Sequence, residues 1–257
     1  MQAFKDTWTM AKRSLRHIVR SPDTIITVVL SPIALLLMFV YVLGGALGQQ
    51  TGSIKYVDFI TPGIIIMTVI SGIAYAALRL NTDVQKGIIN RFRTMPVAPS
   101  SILSGQAVSS TLSNLFSTLL VLAVAFAIGF RSGAGLIEWL LFAGLITLFT
   151  LATTWMAIFF GLQAKTAEGA GSFSYILILL IFISPSFVPT ASMTPLLRGF
   201  AENQPLTPII ETMRSLLTAG TPGDKAWLAL GWCVGILVVT YVLAIWQYKR
   251  KTIVTNN

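Results

Sequence analysis

The chain has 257 residues, of which 54% are hydrophobic and only 11% are charged, and its formal net charge is +9. Soluble domains usually carry about a quarter charged residues, so this composition excludes an ordinary soluble globular protein. The single cysteine, Cys233, excludes a disulfide within the chain and a cysteine-based metal site.

The first 22 residues are predicted to form an amphipathic helix that ends at Ser21-Pro22. Phe4 and Trp8 recur at helical spacing with other apolar residues, while Arg16 and Arg20 belong to the basic face. Such a helix favours the headgroup layer of a membrane, where apolar and cationic faces are both satisfied. The alternative is a solvated helix whose cations only mark the cytoplasmic side.

The rest of the chain is dominated by long stretches without Asp, Glu, Lys or Arg. A helix needs about 20 apolar residues to cross a bilayer, because each residue adds about 1.5 Å. The sequence therefore predicts an all-α membrane protein with a six-span bundle over 23–250, in one domain that covers 1–257. The predicted spans are 25–47, 59–80, 105–130, 136–161, 173–190 and 227–248.

The distribution of basic residues predicts the orientation. With a cytoplasmic N-terminus and six crossings, most of the 18 Lys and Arg residues lie in cytoplasmic segments. This is the positive-inside bias, and it places both termini in the cytoplasm. The net positive charge is therefore interpreted as a topology signal rather than as a nucleic-acid footprint.

Residues 191–226 differ from the spans because they combine several prolines with short apolar faces. We predict a broken or re-entrant segment that packs on the outer face of the protein, between the fifth and sixth spans. Within it, residues 207–219 are predicted to form a short amphipathic helix with Thr207 as the N-cap and Pro208 in the first turn.

The sequence lacks the residues that several kinds of chemistry require. The only histidine, His17, lies in the N-terminal segment, so the sequence has no zinc-protease motif and no buried Ser–His pair. It also has no Gly-Lys dipeptide and hence no phosphate-binding P-loop. We expect no enzyme activity, metal or cofactor in this chain, and any uphill transport must be driven by another protein.

The longest predicted cytoplasmic connection is DVQKGIINRFRTMPVAPSSILSGQ, residues 83–106. It contains a short helix-capable stretch with Phe92 between Arg91 and Arg93, ended by Pro96. Such a helix could insert into a groove on a cytoplasmic partner, since Arg and aromatic residues anchor interfaces. The residues alone leave this open against a plain basic loop.

Both this loop and SPSFVPTASMTPLLRGFAENQPLTPIIETMRSLLTAG, residues 184–220, resemble segments of the ATP-binding-cassette type-2 permeases. More narrowly, the chain is similar to the membrane subunits of daunorubicin-resistance-type exporters, and the resemblance extends over essentially its full length. One departure is Asn90, where family members often carry an acid, so no interface salt bridge is expected there.

The resemblance implies a half-transporter that pairs with a second permease copy, as a homodimer, and with two ABC ATPase subunits. ATP and Mg would then bind to the partner ATPase. The turn with Lys165 and Glu168 would be a second, smaller contact with it. The main coupling helix would be formed by Gly87, Ile88, Arg91, Phe92, Arg93, Met95 and Pro96.

The substrate is expected to be a lipophilic drug or a lipid-like molecule, exported across the cytoplasmic membrane of a bacterium or archaeon. An apolar path would be lined by aromatic residues, as binding pockets generally are. Alternatives are export of a polysaccharide or lipid-linked glycan, and a non-transporting membrane anchor or sensor. The candidate path residues are Phe39, Tyr41, Tyr75, Phe116, Tyr175 and Phe187.

Overall fold

A computed structural model describes residues 29–48, 54–86, 99–218 and 221–254 of this chain. Within these ranges the regular structure is entirely helical, as the composition predicts. The N-terminal helix, including Phe4, Trp8, Arg16 and Arg20, and the loop residues from Gly87 to Pro96 lie outside the described residues.

Nine helical segments follow one another along the chain. They are α1 (Ser31–Leu47), α2 (Tyr56–Gln85), α3 (Pro99–Ala127), α4 (Leu136–Gln163), α5 (Ala167–Gly171), α6 (Phe173–Phe182), α7 (Pro195–Asn203), α8 (Leu206–Thr218) and α9 (Ala226–Val254), all within the described part of the chain.

Four of these helices, α2, α3, α4 and α9, are long and apolar enough to cross a membrane. They correspond to the predicted second, third, fourth and sixth spans. The first predicted span is represented by α1, in which Met38–Leu43 forms a π-helical segment. The fifth is represented by α6, which α5 precedes, and the count of six spans stays a prediction.

The bundle is built around α2, which packs against α1, α3, α4, α5, α6 and α8. Its apolar side chains are buried along almost the whole length, for example Ile60, Ile64, Ile70 and Ile73. Helix α9 packs mainly on α4 and α8, and Thr240 contributes a hydroxyl contact to the Ala152 carbonyl at 3.4 Å. We name the two ends of the bundle after the two ends of α2, the Tyr56 end and the Gln85 end.

The predicted fifth span, 173–190, ends earlier than expected. Helix α6 stops at Phe182, and the chain is irregular to Thr190, where a short 3₁₀ turn begins. Pro185 disfavours helical backbone at Ser184, whose hydroxyl donates to the Ile181 carbonyl at 2.6 Å. The hydrophobic stretch is therefore interrupted at its Tyr56 end.

The segment after this break forms two short helices, α7 and α8, at the Tyr56 end. Helix α8 is amphipathic as predicted, with Ile209, Ile210 and Met213 fully buried. The predicted N-cap is wrong, because α8 begins at Leu206 and Thr207 already lies inside it. The Thr207 hydroxyl donates to the Ala201 carbonyl at 2.5 Å, which ties α8 to α7.

Candidate functional site

Two amide side chains at the Gln85 end tie α2 to the turn between α4 and α5. Asn81 Nδ2 donates to the carbonyls of Gly161, at 2.9 Å, and Ala164, at 2.7 Å. Gln85 Nε2 donates to Asn81 Oδ1 at 2.7 Å and to the Lys165 carbonyl at 3.0 Å. Asn81 is only 1% exposed, so its hydrogen bonds form in a low-dielectric environment. The end of α2 and this turn are therefore joined by three side-chain hydrogen bonds to backbone carbonyls.

Close backbone packing reinforces this link. A Cβ added at Gly161 would lie 2.9 Å from the Ala77 carbonyl oxygen, so only glycine permits the observed approach of α4 to α2. The turn then leads into α5, where the Thr166 hydroxyl accepts a hydrogen bond from Gly169 N at 3.1 Å as an N-cap. These contacts restrain the turn.

The predicted second contact residues, Lys165 and Glu168, are both exposed on this turn. They are therefore accessible to a partner at the Gln85 end. The predicted coupling residues start at Gly87, two positions after Gln85, and the next described residue is Pro99, at the start of α3. Both predicted contacts are thus attached to the same end of α2.

Among the aromatic path residues Tyr75 is half-buried, and the other five divide into two groups. Phe39 and Phe187 are buried and stacked on each other, with ring centroids 4.6 Å apart. Tyr41, Phe116 and Tyr175 are exposed on the outside of the bundle, and Tyr175 is 73% exposed. These residues do not form one continuous path within this protomer.

The irregular segment that follows α6 is held against α2 by contacts around Phe187. Tyr56 donates from its hydroxyl to the Phe187 carbonyl at 3.3 Å, and the Phe182 ring stacks on the Phe187 ring at 5.1 Å. A Cβ at Gly63 would lie 2.7 Å from Ser186 Cβ, so the irregular backbone runs directly over α2 at this glycine.

Arg214 joins three segments at the Tyr56 end. Its Nε donates to the Phe59 carbonyl of α2 at 3.0 Å, and a terminal NH₂ group donates to the Pro185 carbonyl. The guanidinium carbon lies 3.8 Å from the centroid of the Phe59 ring, which is a cation–π contact. Burial lowers the pKa of Arg214 to about 10, so the side chain still carries its charge at neutral pH.

The turn between α3 and α4 is fixed to the same end. Asp58 Oδ1 accepts a hydrogen bond from Arg131 N at 2.9 Å, and the Ser132 hydroxyl donates to the Leu217 carbonyl at 2.8 Å. Helices α2, α3, α4 and α8 are therefore joined at the Tyr56 end by polar contacts. These contacts hold the segments at the Tyr56 end together.

The sequence analysis did not identify Asn81 or Gln85 as functional residues. Arg214 was included only as part of the segment 184–220 that resembles the permease family. A signal for the first two was present, because an amide pair spaced by four residues at the end of an apolar helix presents both groups on one face. A buried amide such as that of Asn81 also requires hydrogen-bond partners, which could have drawn attention to it. The partner carbonyls of Arg214 belong to distant segments and could not be found from spacing.

The helical architecture and its apolar helices define a multi-pass membrane protein. The hydrogen bonds of Asn81 and Gln85 to the turn between α4 and α5, called the amide link below, and the exposed residues of that turn form a region suited to contact with another protein. The chain belongs to the ABC-2 type transporter family, which matches residues 5–218. It is therefore a membrane permease subunit, and membership in this family implies that it works with an ABC ATPase subunit.

Similar proteins cover almost the whole chain. A daunorubicin resistance ABC transporter permease protein, DrrB1 of Streptomyces coeruleorubidus, is 28% identical over 97% of this chain and 88% of its own length. A probable doxorubicin resistance ABC transporter permease protein, DrrC of Mycobacterium tuberculosis, is 25% identical over 96% and 89%. A putative transport permease, ycf38 of Pyropia yezoensis, is 26% identical over 90% and 81%.

Proposed function

We propose that this chain is the transmembrane subunit of an ATP-driven exporter that moves a lipophilic drug or lipid-like molecule across the cytoplasmic membrane. Two of the similar permeases are named for resistance to daunorubicin or doxorubicin, which supports a lipophilic solute. The functional unit is two permease copies with two separate ATPase subunits. ATP and Mg bind to those subunits, and both permease termini face the cytoplasm.

The observation that carries this proposal is the amide link at the Gln85 end. Asn81 and Gln85 connect α2 to the turn bearing Lys165 and Glu168, immediately before the predicted coupling helix. The coupling helix and the turn then form one contact surface for the ATPase. A movement imposed on that surface is transmitted along α2, which packs against most of the bundle.

Transport follows from linkage between two conformations. ATP binding does work on the permease only if inward- and outward-facing states of the permease bind different ATPase states with different free energies. In this scheme the Tyr56 end is the exit. The polar contacts of Arg214 and Asp58 would keep this end closed until ATP binding displaces α2.

Transport in sealed vesicles tests the proposal. The permease is co-expressed with an ABC ATPase subunit, and inverted vesicles, whose cytoplasmic face is outside, receive ATP in the external medium together with daunorubicin or a fluorescent lipid. ATP-dependent accumulation of either solute is expected. Accumulation of a lipid-linked glycan instead would show that the exported substrate is a glycan. If none of these solutes stimulates ATP hydrolysis, the protein is an anchor or sensor.

Replacement of Asn81 by Leu is expected to uncouple hydrolysis from transport. Asn81→Leu leaves the carbonyls of Gly161 and Ala164 without their donor and frees Gln85, so the turn no longer follows α2. We expect solute-stimulated ATP hydrolysis to fall or become constitutive and transport to drop strongly, at normal membrane expression. ATPase assays and vesicle transport measure both quantities.

Asn203→Leu is the matched control, because Asn203 is exposed and its amide donates to the Gly199 carbonyl of its own helix, at 2.8 Å, rather than to another helix. This variant should transport normally. Normal coupling in Asn81→Leu would show that the amide link does not carry the movement.

A further inference from the structure

A narrow polar crevice lies between α2 and α3. Its lining residues toward the middle of the helices, Gly72 and Asn114, are buried, whereas Arg79 and Gln106 near the Gln85 end are half-buried, so the crevice opens toward that end. The enclosed space is about 30 Å³, which is room for one or two water molecules. A larger ligand can therefore bind only at the opening, with no more than one or two of its atoms inside.

The opening is rich in hydrogen-bond donors. Ser109 and Ser110 line the crevice beside Arg79 and Gln106, and they are only 2% and 9% exposed. None of these four side chains makes a hydrogen bond to another described residue. A guanidinium group offers five N–H donors, an amide offers two and each hydroxyl offers one. A ligand group that carries several acceptor oxygens would satisfy donors from both helices.

Charge at the opening favours an anion. The residues that line the crevice include no Asp or Glu, and Arg79 is their one charged side chain. Asp83 lies one turn further along α2, but within the described ranges neither it nor Arg79 belongs to an ion pair. Because partial burial reduces its hydration, the guanidinium is stabilised by a bound counter-ion. A phosphate group supplies both the charge and the acceptor oxygens, and guanidinium groups bind phosphate through two parallel hydrogen bonds.

The depth of the opening indicates that this phosphate belongs to a lipid. The predicted apolar span of α2 ends at residue 80, so Arg79 lies at the boundary between hydrocarbon and head groups. Arginine side chains near the ends of spans extend toward the head-group layer, where lipid phosphates are concentrated.

An apolar surface continues from the opening toward the middle of the membrane. Phe116 and Leu120 follow Ser109 and Ser113 on one ridge of α3, at spacings of three and four residues, and they are 52% and 38% exposed. The ridge from Ser109 to Leu120 is about 16 Å long, roughly half of the hydrocarbon thickness and hence the reach of one acyl chain. Its polar end lies toward the head groups and its apolar end toward the membrane centre, as in a phospholipid.

We propose that the opening between α2 and α3 binds one membrane phospholipid through its phosphate group. The phosphate lies outside the crevice against Arg79 and Gln106, and one of its oxygens enters the water-sized space to accept from the serine hydroxyls. One acyl chain lies along the α3 ridge as far as Leu120. This site goes beyond the proposed export function, because binding of the lipid requires neither the ATPase nor a transported solute.

Native mass spectrometry of the full-length permease, released from a mild detergent, tests the ligand class. The probes are dioleoylphosphatidylglycerol, dioleoylglycerol with the same chains but no phosphate, and glycerol 3-phosphate with no chains. We expect one tight phosphatidylglycerol per protomer and binding of the other two probes at least about tenfold weaker, the effect of losing charge-assisted hydrogen bonds or the acyl-chain contact. Equal affinity for dioleoylglycerol would overturn phosphate recognition, and equal affinity for glycerol 3-phosphate would overturn a lipid site.

Variants test the role of the guanidinium. Arg79→Gln should weaken phosphatidylglycerol binding about tenfold, and Arg79→Lys should weaken it less, because an ammonium group keeps the charge but not the paired donors. Arg198→Gln is the matched control, since Arg198 is an exposed arginine on α7 at the opposite end and already pairs with Glu202. Unchanged affinity in Arg79→Gln would contradict the assignment.

Photochemical cross-linking of the unmodified permease locates the lipid without relying on a variant. A phosphatidylglycerol with a diazirine in one acyl chain is incorporated into nanodiscs, and the modified peptides are identified by mass spectrometry after photolysis. Modification should concentrate at Phe116 and Leu120. Modification spread equally over these positions and over exposed α9 residues such as Val238 and Val242 would show bulk lipid contact only and would overturn the proposal.

Discussion

Replacing Arg214 by Met will lower the thermal stability of the permease more than any other single exchange of a basic residue at the Tyr56 end. The change leaves the carbonyls of Phe59 and Pro185 without their charged donor and removes the cation–π contact. Hydrogen bonds to a charged group contribute about 1.5–3 kcal/mol each, so a loss of roughly 3 kcal/mol or more is expected. Thermal unfolding in detergent or nanodiscs measures this directly.

Arg214→Lys should be intermediate, because an ammonium group keeps the charge but cannot donate in two fixed directions or stack on the Phe59 ring. Arg198→Met is the matched control. Arg198 forms a 2.7 Å salt bridge with Glu202 on the surface of α7, where such pairs contribute little. If Arg198→Met is as destabilising as Arg214→Met, the hydrogen bonds and the cation–π contact of Arg214 do not provide the predicted stabilisation of the Tyr56 end.

Replacing Phe92 by Asp will abolish transport while the permease still inserts and still dimerises. The proposed coupling helix relies on the Phe92 ring for buried area in the groove of the ATPase, and an aspartate there would place an unpaired charge in the interface. Phe92→Ala should give a weaker form of the same defect. ATP hydrolysis by the isolated ATPase should be unaffected in both cases.

The measurement is ATP-driven vesicle transport together with the amount of ATPase that co-purifies. Phe116→Asp is not a suitable control, because a charge on a span disturbs insertion itself. Phe200→Ala is better, since Phe200 is an exposed aromatic residue on α7 at the opposite end. Normal transport by Phe92→Asp at normal expression would show that Phe92 is not part of the coupling interface.

Much of the helical architecture could be predicted from charge alone. A run of about 20 residues without Asp, Glu, Lys or Arg has few stable alternatives to a spanning helix, and α2, α3, α4 and α9 follow the predicted ranges to within a few residues, apart from an earlier start of α3 and a later end of α9. The fifth span was predicted too long, because Ser184 and Pro185 stop the helix inside an otherwise apolar stretch.

The contacts that position the candidate site could not be predicted in the same way. Asn81 meets carbonyls 80 and 83 residues away, and Arg214 meets one that is 155 residues away. Such pairings depend on how the helices pack, which local periodicity does not specify. Asn114 of α3 likewise lies directly over Gly72 of α2, whose missing side chain leaves the space for the amide.

The Thr207 N-cap illustrates a smaller limit. A threonine before proline is a good start signal for a helix, yet α8 begins one residue earlier and uses the hydroxyl to contact α7. Here a tertiary contact determined the use of the side chain. Helix boundaries are generally less predictable than the presence of the helix.

Single-cysteine cross-linking tests the central claim, that a separate ATPase drives this permease through the loop after α2. The only native cysteine, Cys233, is buried and can be replaced by alanine, so Phe92→Cys then carries the one reactive thiol. Leu196→Cys, at an 85% exposed position on α7, is the control at the opposite end. Both variants are labelled with a photoreactive maleimide in membranes that contain the ATPase.

Photolysis should join position 92 to the ATPase subunit, with a yield that changes when nucleotide is added, and position 196 should give no such product. Products from position 92 that contain only lipid or permease, in membranes where the ATPase is present and active, would contradict the claim.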